Sequence, residues 1–194
     1  NRLEKELMRH ADCCDTADHL LTLSAAVTAA LHTIQPICET ESVPLFDAYG
    51  RVLAADVAAR LDAPPGDNSA MDGFAVYLAD LLLEVPTRLP IAGQALAGHP
   101  YSGIVPRGTT VRITTGALIP DGPDAVIMQE QCRIDPDGAW IDIEPNIAAR
   151  LKRGENIRRR GEDVQAGTRL LSKGLRLRPQ DVALAAGQGM ATLA

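Results

Sequence analysis

The sequence feature that most constrains the fold is a series of short apolar stretches separated by Gly and Pro, extending from Asp62 to about Lys152. These stretches read GFAV, LPIAGQAL, TTVRITTG, DAVIMQEQCRI and AWIDIE. Short strands at regular spacing, with turn-forming residues between them, are typical of β-sandwiches and barrels. The sequence therefore predicts a compact β-rich domain over residues 62–152, barrel-like or sandwich-like in form.

The segment before this stretch contains one helix and one strand. Apolar residues at helical spacing predict a helix from about Leu20 to Ile34, with Thr22 or Ser24 as its N-cap and Pro36 just past its end. A short helical turn is expected before Gly50, and RVLAADVAA, which follows that glycine, predicts a strand.

The segment after the β-rich stretch resembles a β-hairpin around Lys173 and Gly174, followed by a helix from Pro179 to about Ala186 that stops at Gly187. Neither flanking segment is large enough to fold alone. We therefore predict an α+β, mostly β chain. Its discontinuous, elongated linker and dimerisation domain, residues 20–61 and 153–194, is interrupted by the inserted domain, and residues 1–19 are an extra N-terminal segment.

Composition narrows the functional classes. Aromatic residues make up only 3% of the 194 residues, which argues against a nucleic-acid binder that stacks bases on aromatic rings. The longest apolar runs are interrupted within a dozen residues, so no membrane span is expected. The four cysteines form no CxxC pair, and this favours a reducing cytoplasm over a disulfide framework.

A possible metal site lies near the start of the chain. If the segment is helical, His10, Cys13 and Cys14 share one face and could bind Zn²⁺, with His19 half a turn away. The alternative is an N-terminal helix or tail that carries free thiols.

The stretch DNSAMDG places two carboxylates on one loop. Asp67, Asn68 and Ser69 can each bond their own backbone, and Gly73 permits the step into the next strand, so a structural turn explains much of the pattern. The second acid, Asp72, is not needed for that turn. Two carboxylates on a loop could instead hold a cation such as Mg²⁺ or orient a polar ligand.

Two further stretches carry polar groups suited to anions. RITTGA, ending in a hydroxyl-rich turn with Thr115, could form a small anion nest or simply end a strand. In ENIRRRGED, three consecutive arginines cannot all face one side of a strand. They could bind phosphate, or pair with Glu162 and Asp163 in an internal ion-pair network. Residues 150–178 carry a local charge of +7 within a chain of net charge −6.

Taken together and in this order, PPGDNSAMDGFAV, GHPYSGIVPRGTTVRITTGALIPDGPDAVIMQE and ENIRRRGEDVQAGTRLL resemble the molybdopterin molybdenumtransferase family. The same region occurs in the carboxy-terminal domain of gephyrin. The resemblance covers the chain from about Leu20 to its end and leaves out the Cys/His cluster.

This resemblance implies a cytoplasmic, homodimeric enzyme that takes adenylyl-molybdopterin and molybdate, uses Mg²⁺ or a similar divalent cation, and releases molybdenum cofactor. The molybdopterin adenylyltransferase is a possible partner, and no nucleic acid or membrane is implied. By resemblance, the catalytic cleft residues are Asp67, Thr115 and Asp163, and no protein ligand for a metal is assigned. Weaker, substrate-binding assignments fall on Asn68, Ser69, Asp72, Arg158, Arg159 and Arg160.

The family's pattern continues past the equivalent of Ala194 into an α/β domain that binds pterin and molybdate, and then into a small β domain. We therefore expect this chain to be an amino-terminal part that is inactive alone and binds no cofactor tightly. The alternatives are a non-catalytic dimerisation or scaffold module of the gephyrin type and, more remotely, a zinc-binding β protein.

Overall fold

A computed structural model describes residues 21–194 of the chain. The predicted Cys/His metal site at residues 10–19 lies outside the described residues. The chain divides into two compact units, Asn1–Glu41 and Ser42–Ala194. None of the helices in the described part has the length and apolar character that a bilayer crossing requires.

The described part of the first unit contains helix α1, Leu23–Thr33. The Oγ1 atom of Thr22 accepts a hydrogen bond from the backbone N of Ala25 at 3.2 Å, so Thr22 is the N-cap. Side-chain capping of this kind satisfies one of the free N–H groups of the first turn. The predicted helix is therefore confirmed, and Thr22 rather than Ser24 begins it.

The second unit is mostly β. Its elements in chain order are β1 (Val43–Pro44), a 3₁₀ turn (Leu45–Asp47), β2 (Val57–Ala58), β3 (Asn68–Ser69), β4 (Gly73–Val76), a 3₁₀ turn (Leu78–Asp80), β5 (Thr87–Ala95), β6 (Thr110–Ile113), β7 (Ala125–Met128), a 3₁₀ turn (Gln129–Gln131), β8 (Cys132–Ile134), β9 (Trp140–Ile143), α2 (Pro145–Ala148), β10 (Ile157–Arg158), β11 (Arg169–Leu171), α3 (Pro179–Gly187) and β12 (Thr192–Leu193). The mostly β character predicted from sequence is confirmed.

A six-stranded sheet of order β7-β4-β6-β5-β9-β8 dominates this unit. All neighbours are antiparallel except β5 and β6, which run parallel. The long strand β5 serves two partners: Thr87–Pro90 pairs with β9, and after a register shift between Ile91 and Gly93 its second half pairs with β6. A strand shared in this way lets the sheet curl, and the result is a half-barrel.

Apolar side chains cover both faces of this sheet around β4. Phe74 and Val76 belong to one buried cluster, while Ala75 belongs to another with Val111 and Ile113 of β6. All four residues of β4 are buried. A strand buried on both faces has a continuous apolar sequence, which is why GFAV shows no alternation.

A second, separate core forms where the two ends of the unit meet. Strand β1 pairs with β12, β2 pairs with β11, and Val52 bridges Arg176. The predicted hairpin at Lys173–Gly174 is therefore wrong, because both of its arms pair with the segment 50–58 instead. The buried side chains of this core are Leu45, Ala48, Leu53, Leu171, Leu177, Ala185, Met190 and Leu193.

Gln188, at the end of α3, ties this core to the segment that leads into the candidate site. Its side chain is 4% exposed, and its Oε1 atom accepts hydrogen bonds from the backbone N atoms of Arg60 at 2.8 Å and Leu61 at 2.9 Å. The buried amide of Gln188 thus fixes the backbone of two consecutive residues that are themselves exposed.

We expect Gln188→Ala to destabilise the second core by about 1–3 kcal/mol, because two backbone N–H groups lose hydrogen bonds that contribute about 0.5–1.5 kcal/mol each. Urea unfolding followed by circular dichroism measures this change. Gln180→Ala is the matched control, since Gln180 lies on the same helix but is exposed, and it should change stability by less than about 0.5 kcal/mol. Equal midpoints for the two variants would contradict the anchoring role.

Candidate functional site

Strand β3 lies between two other segments, so three separate stretches of the chain meet side by side. On one side β3 pairs antiparallel with β10. On the other side, the backbone N of Ser69 donates to the carbonyl oxygen of Ala117 at 2.9 Å. The structure thus brings together residues 67–72, 114–118 and 156–163, and we call this group the three-segment site.

Asp67 stands at the entry to β3 and binds the arginine segment through its side chain. Its Oδ2 atom accepts from Nη1 of Arg159 at 2.5 Å, and its Oδ1 atom accepts from the backbone N of Arg160 at 2.8 Å. The Asp67 side chain is 40% exposed. This carboxylate therefore connects two parts of the site in addition to any role in its own turn.

The three consecutive arginines each take a different carboxylate as partner. Only Arg158 belongs to β10, and the chain enters a turn at Arg160. The pairs are Arg158 with Asp163, Arg159 with Asp67, and Arg160 with Asp62. Arg158 also lies 3.6 Å from a carboxylate oxygen of Glu162. The internal ion-pair network considered as one interpretation of NIRRRGED is thus present, while anion binding by the same arginines stays a prediction.

Thr115 and Asp72 form a second polar contact of the site. The Oδ1 atom of Asp72 accepts from the backbone N of Thr115 at 2.7 Å and from its Oγ1 atom at 2.8 Å. The second acid of DNSAMDG therefore fixes the hydroxyl turn of RITTGA. The N–H of Thr115 donates to Asp72 rather than to an anion, so the anion nest at this turn stays a prediction.

Ser69 and Asn68 differ in whether their side chains have hydrogen-bond partners. Ser69 is 1% exposed, and its Oγ atom donates to the carbonyl oxygen of Met71 at 2.6 Å, so it stabilises its own turn. The Oδ1 atom of Asn68 is buried, and no donor in the described part of the chain reaches it. A buried acceptor without a donor is costly, and this oxygen remains available to a further donor.

Comparison with known proteins fits this geometry. The family described as "MoeA N-terminal region (domain I and II)" matches residues 21–189, a range that contains all three segments of the site. This chain belongs to that MoeA family. The resemblance inferred from the three motifs is confirmed.

Relatives of this MoeA chain include named enzymes. The molybdopterin molybdenumtransferase of Haemophilus influenzae is 41% identical over 172 residues, covering 89% of the chain and 41% of that protein. The enzyme of the same name from Bacillus subtilis is 37% identical over 158 residues, covering 80% and 36%. The chain therefore spans less than half the length of the relatives it matches.

A solved structure supports the fold. The crystal structure of the molybdopterin biosynthesis moeA protein from Pyrococcus horikoshii OT3 superposes with a TM-score of 0.80 at 36% identity. The alignment covers 90% of this chain and 45% of that one. The mostly β architecture with its half-barrel sheet is thus that of MoeA proteins, while the division into domains 20–61, 62–152 and 153–194 stays a prediction.

The carboxylates of this MoeA site are held in their charged form. The backbone N–H of Arg160 and the Arg159 guanidinium lower the pKa of Asp67 below its usual range. The pKa of Asp72 is lowered by the N–H and hydroxyl of Thr115. Hydrogen bonds donated to a carboxylate favour its charged state, so both groups are ionised at neutral pH.

A metal ion fits these residues poorly. Within residues 21–194, no three His, Cys, Asp or Glu side chains form a group that could hold a metal ion. Asp67, Asp72 and Asp163 point their oxygens at arginine and threonine donors. Mg²⁺ requires several oxygen ligands around it, and residues 21–194 do not supply such a group.

Sequence reasoning missed one member of the network, Asp62. Its Oδ2 atom accepts from Nε of Arg160 at 2.5 Å, and its Oδ1 atom accepts from the backbone N of Ala166 at 2.8 Å. In the sequence it stands alone before Ala63, two prolines and a glycine, with no polar neighbour to mark it. An acid placed just before a Pro-Pro break is the one signal that could have found it.

Proposed function

We propose that this chain supplies the amino-terminal part of a molybdopterin molybdenumtransferase, which inserts molybdenum from molybdate into adenylyl-molybdopterin to give molybdenum cofactor. The observation that carries the proposal is the meeting of three motif segments at one site, within a chain of the MoeA family. The gephyrin-like, non-catalytic module is not favoured, because the curated relatives are named as transferases.

In this proposal, Asp67, Thr115 and Asp163 contact the substrate or its waters as the catalytic groups of this region. A molybdopterin adenylate is a polyanion. Exposed ion pairs contribute little to stability, so Arg158 and Arg159, whose partner carboxylates are 55% and 40% exposed, can exchange a carboxylate for a phosphate at small cost. Arg160 can offer its Nη groups to a phosphate while its Nε stays on Asp62. Asn68 supports this surface from beneath rather than by direct contact, since its Oδ1 atom is buried. Asp72 and Ser69 support the site by fixing its two turns.

The remaining components belong to the complete enzyme. We propose a homodimer that works in the cytoplasm, with the molybdopterin adenylyltransferase as a possible donor of its substrate. A divalent cation such as Mg²⁺ would help to neutralise the substrate's phosphates. Because the described residues do not form a complete metal site, its ligands would come largely from the substrate and from other parts of the enzyme.

A chimaera tests the proposal. Residues 21–189 are placed in the Haemophilus influenzae enzyme in place of the segment that they match, and cofactor formation is measured from adenylyl-molybdopterin and molybdate. We expect the chimaera to form molybdenum cofactor. The isolated 194-residue chain, assayed beside it, is expected to form none, because we propose that the pterin-binding part of the site lies in the rest of the enzyme.

Two outcomes would count against this function. A chimaera that is folded by circular dichroism and still binds the pterin, yet forms no cofactor, would show that residues 21–189 do not supply the proposed groups. Turnover by the isolated chain would show that it carries a whole active site. The unaltered Haemophilus influenzae enzyme is the positive control for the assay.

A further inference from the structure

The segment that contains Asp62 runs alongside the loop that carries Asp163. The backbone N atoms of Asp163 and Val164 both donate to the carbonyl oxygen of Ala63, at 2.9 and 3.1 Å. Two residues before Asp163, the N atom of Gly161 donates to the carbonyl oxygen of Pro64 at 2.9 Å. The position of this loop therefore depends on residues 62–64.

Asp62 joins the two ends of that loop with a single side chain. Its Oδ2 atom accepts from Nε of Arg160 at the start, and its Oδ1 atom accepts from the backbone N of Ala166 at the end. Asp163 lies between these two points. A carboxylate that bridges both ends restricts the conformations open to the residues between them.

Burial separates Asp62 from the carboxylates assigned to catalysis. The Asp62 side chain is 17% exposed, whereas those of Asp67 and Asp163 are 40% and 55% exposed. A largely covered carboxylate with both oxygens in use is poorly placed to contact a substrate. It is well placed to fix its neighbours, because its own partners restrain it.

The segment before Asp62 is itself anchored. Gln188 accepts hydrogen bonds from the N atoms of Arg60 and Leu61, the two residues that precede Asp62. A connected series of contacts thus leads from the buried end of α3 through Asp62 to the loop 160–166. The pKa of Asp62 is lowered by the Ala166 N–H and the Arg160 side chain, so the group is charged at neutral pH.

We propose that Asp62 is a positioning residue for the transferase reaction: by holding the loop 160–166 at both ends, it sets the place of Asp163. This inference rests on the proposed function and adds a residue that the three motifs do not contain. It also predicts that the loop, rather than the fold as a whole, responds when Asp62 changes.

The test compares Asp62→Asn with Asp80→Asn in the complete protein. Asp80 is the matched control, since its carboxylate also holds one arginine, Arg107, and one backbone amide, that of Gly108, and its side chain is 12% exposed. We expect Asp62→Asn to lower kcat about 10- to 100-fold with KM little changed, because small misplacement of a reacting group has effects of this size. Asp80→Asn should leave kcat unchanged.

Hydrogen exchange supplies a readout that does not depend on turnover. In Asp62→Asn the amides of residues 160–166 should exchange at least about tenfold faster than in the wild type, as expected for a local opening, and in Asp80→Asn they should not. Unchanged exchange in this loop overturns the proposal. Faster exchange with an unchanged kcat also overturns it, since the loop would then not limit the position of Asp163.

A conservative variant tests the same role if Asp62→Asn does not fold. Asp62→Glu retains the charge with one more methylene, and it should lower kcat by less than Asp62→Asn but by more than Asp80→Glu. Equal kcat for the two glutamate variants overturns the proposal. A wild-type protein without transferase activity would instead refute the proposed function, whereas an active wild type with a fully active, folded Asp62→Asn refutes only the role of Asp62.

Discussion

Asp67→Asn in the complete protein is expected to lower the rate of cofactor formation by about 100-fold or more, the usual cost of losing a group that transfers protons or orients a nucleophile. The change is nearly isosteric. The amide oxygen can still accept from the backbone N of Arg160, as Oδ1 does at 2.8 Å in the wild type. The negative charge opposite Arg159 is lost.

The same substitution should cost little stability. The Asp67 and Arg159 side chains are 40% and 57% exposed, and ion pairs at such exposure contribute about 0–1 kcal/mol. Asp142→Asn is the control: Asp142 pairs with Arg88 at 3.4 Å, is 31% exposed and lies on β9, outside the three-segment site. It should leave the rate unchanged. A normal rate in Asp67→Asn together with a lower melting temperature would assign Asp67 to the turn alone.

Gly73→Ala is expected to destabilise the six-stranded sheet severely, by about 3 kcal/mol or more, because the added methyl group meets backbone that cannot move aside. A Cβ atom on Gly73 would lie 1.8 Å from the carbonyl oxygen of Ile127 and 3.1 Å from Cα of Met128. Both belong to β7, the direct partner of β4. The two strands would have to separate.

Fluorescence of the single tryptophan measures this effect, since Trp140 lies on β9 of the same sheet. Gly187→Ala is the matched control. A Cβ atom on Gly187, in the last turn of α3, meets nothing within 4 Å, and alanine in a helix is more stable than glycine by about 0.5–1 kcal/mol. Similar unfolding midpoints for the two variants would show that β4 and β7 can adjust to the extra carbon.

Local signals in the sequence explain which elements could be predicted. GFAV became β4, TVRI became β6 and WIDI became β9 because each is a short apolar run between turn residues. Pro179 in the first helical turn and Gly187 near the end predicted α3. These elements depend mainly on residues close to them in the chain.

Long-range pairing explains what could not be predicted. DAVIMQEQCRI looks like one apolar stretch, yet a 3₁₀ turn at Gln129–Gln131 sends β7 and β8 to opposite edges of the sheet. The turn residues around Lys173–Gly174 suggest a hairpin, but β11 finds its partner in β2. The two strands that pair are more than a hundred residues apart in the chain. Neither hydrophobic periodicity nor turn-forming residues indicate so distant a pairing.

The site was predictable to a similar extent. The sequence singled out Asp67, Thr115 and the arginines by their residue types, and the structure brings their segments together. The sequence did not indicate which carboxylate each arginine would pair with. Asp62 is separated from Arg160 by 98 positions, so no local pattern could reveal that contact.

The pairing of β2 with β11 has a consequence for synthesis on the ribosome. Ala58 pairs with Arg169, which is translated about 110 residues later, or roughly 5–20 s at ordinary elongation rates. All strands of the half-barrel sheet, β4 to β9, emerge during that interval. The nascent chain can therefore complete the sheet first. During that time the apolar side chains of Leu45 and Leu53 lack the residues from 171 to 193 that bury them in the finished protein.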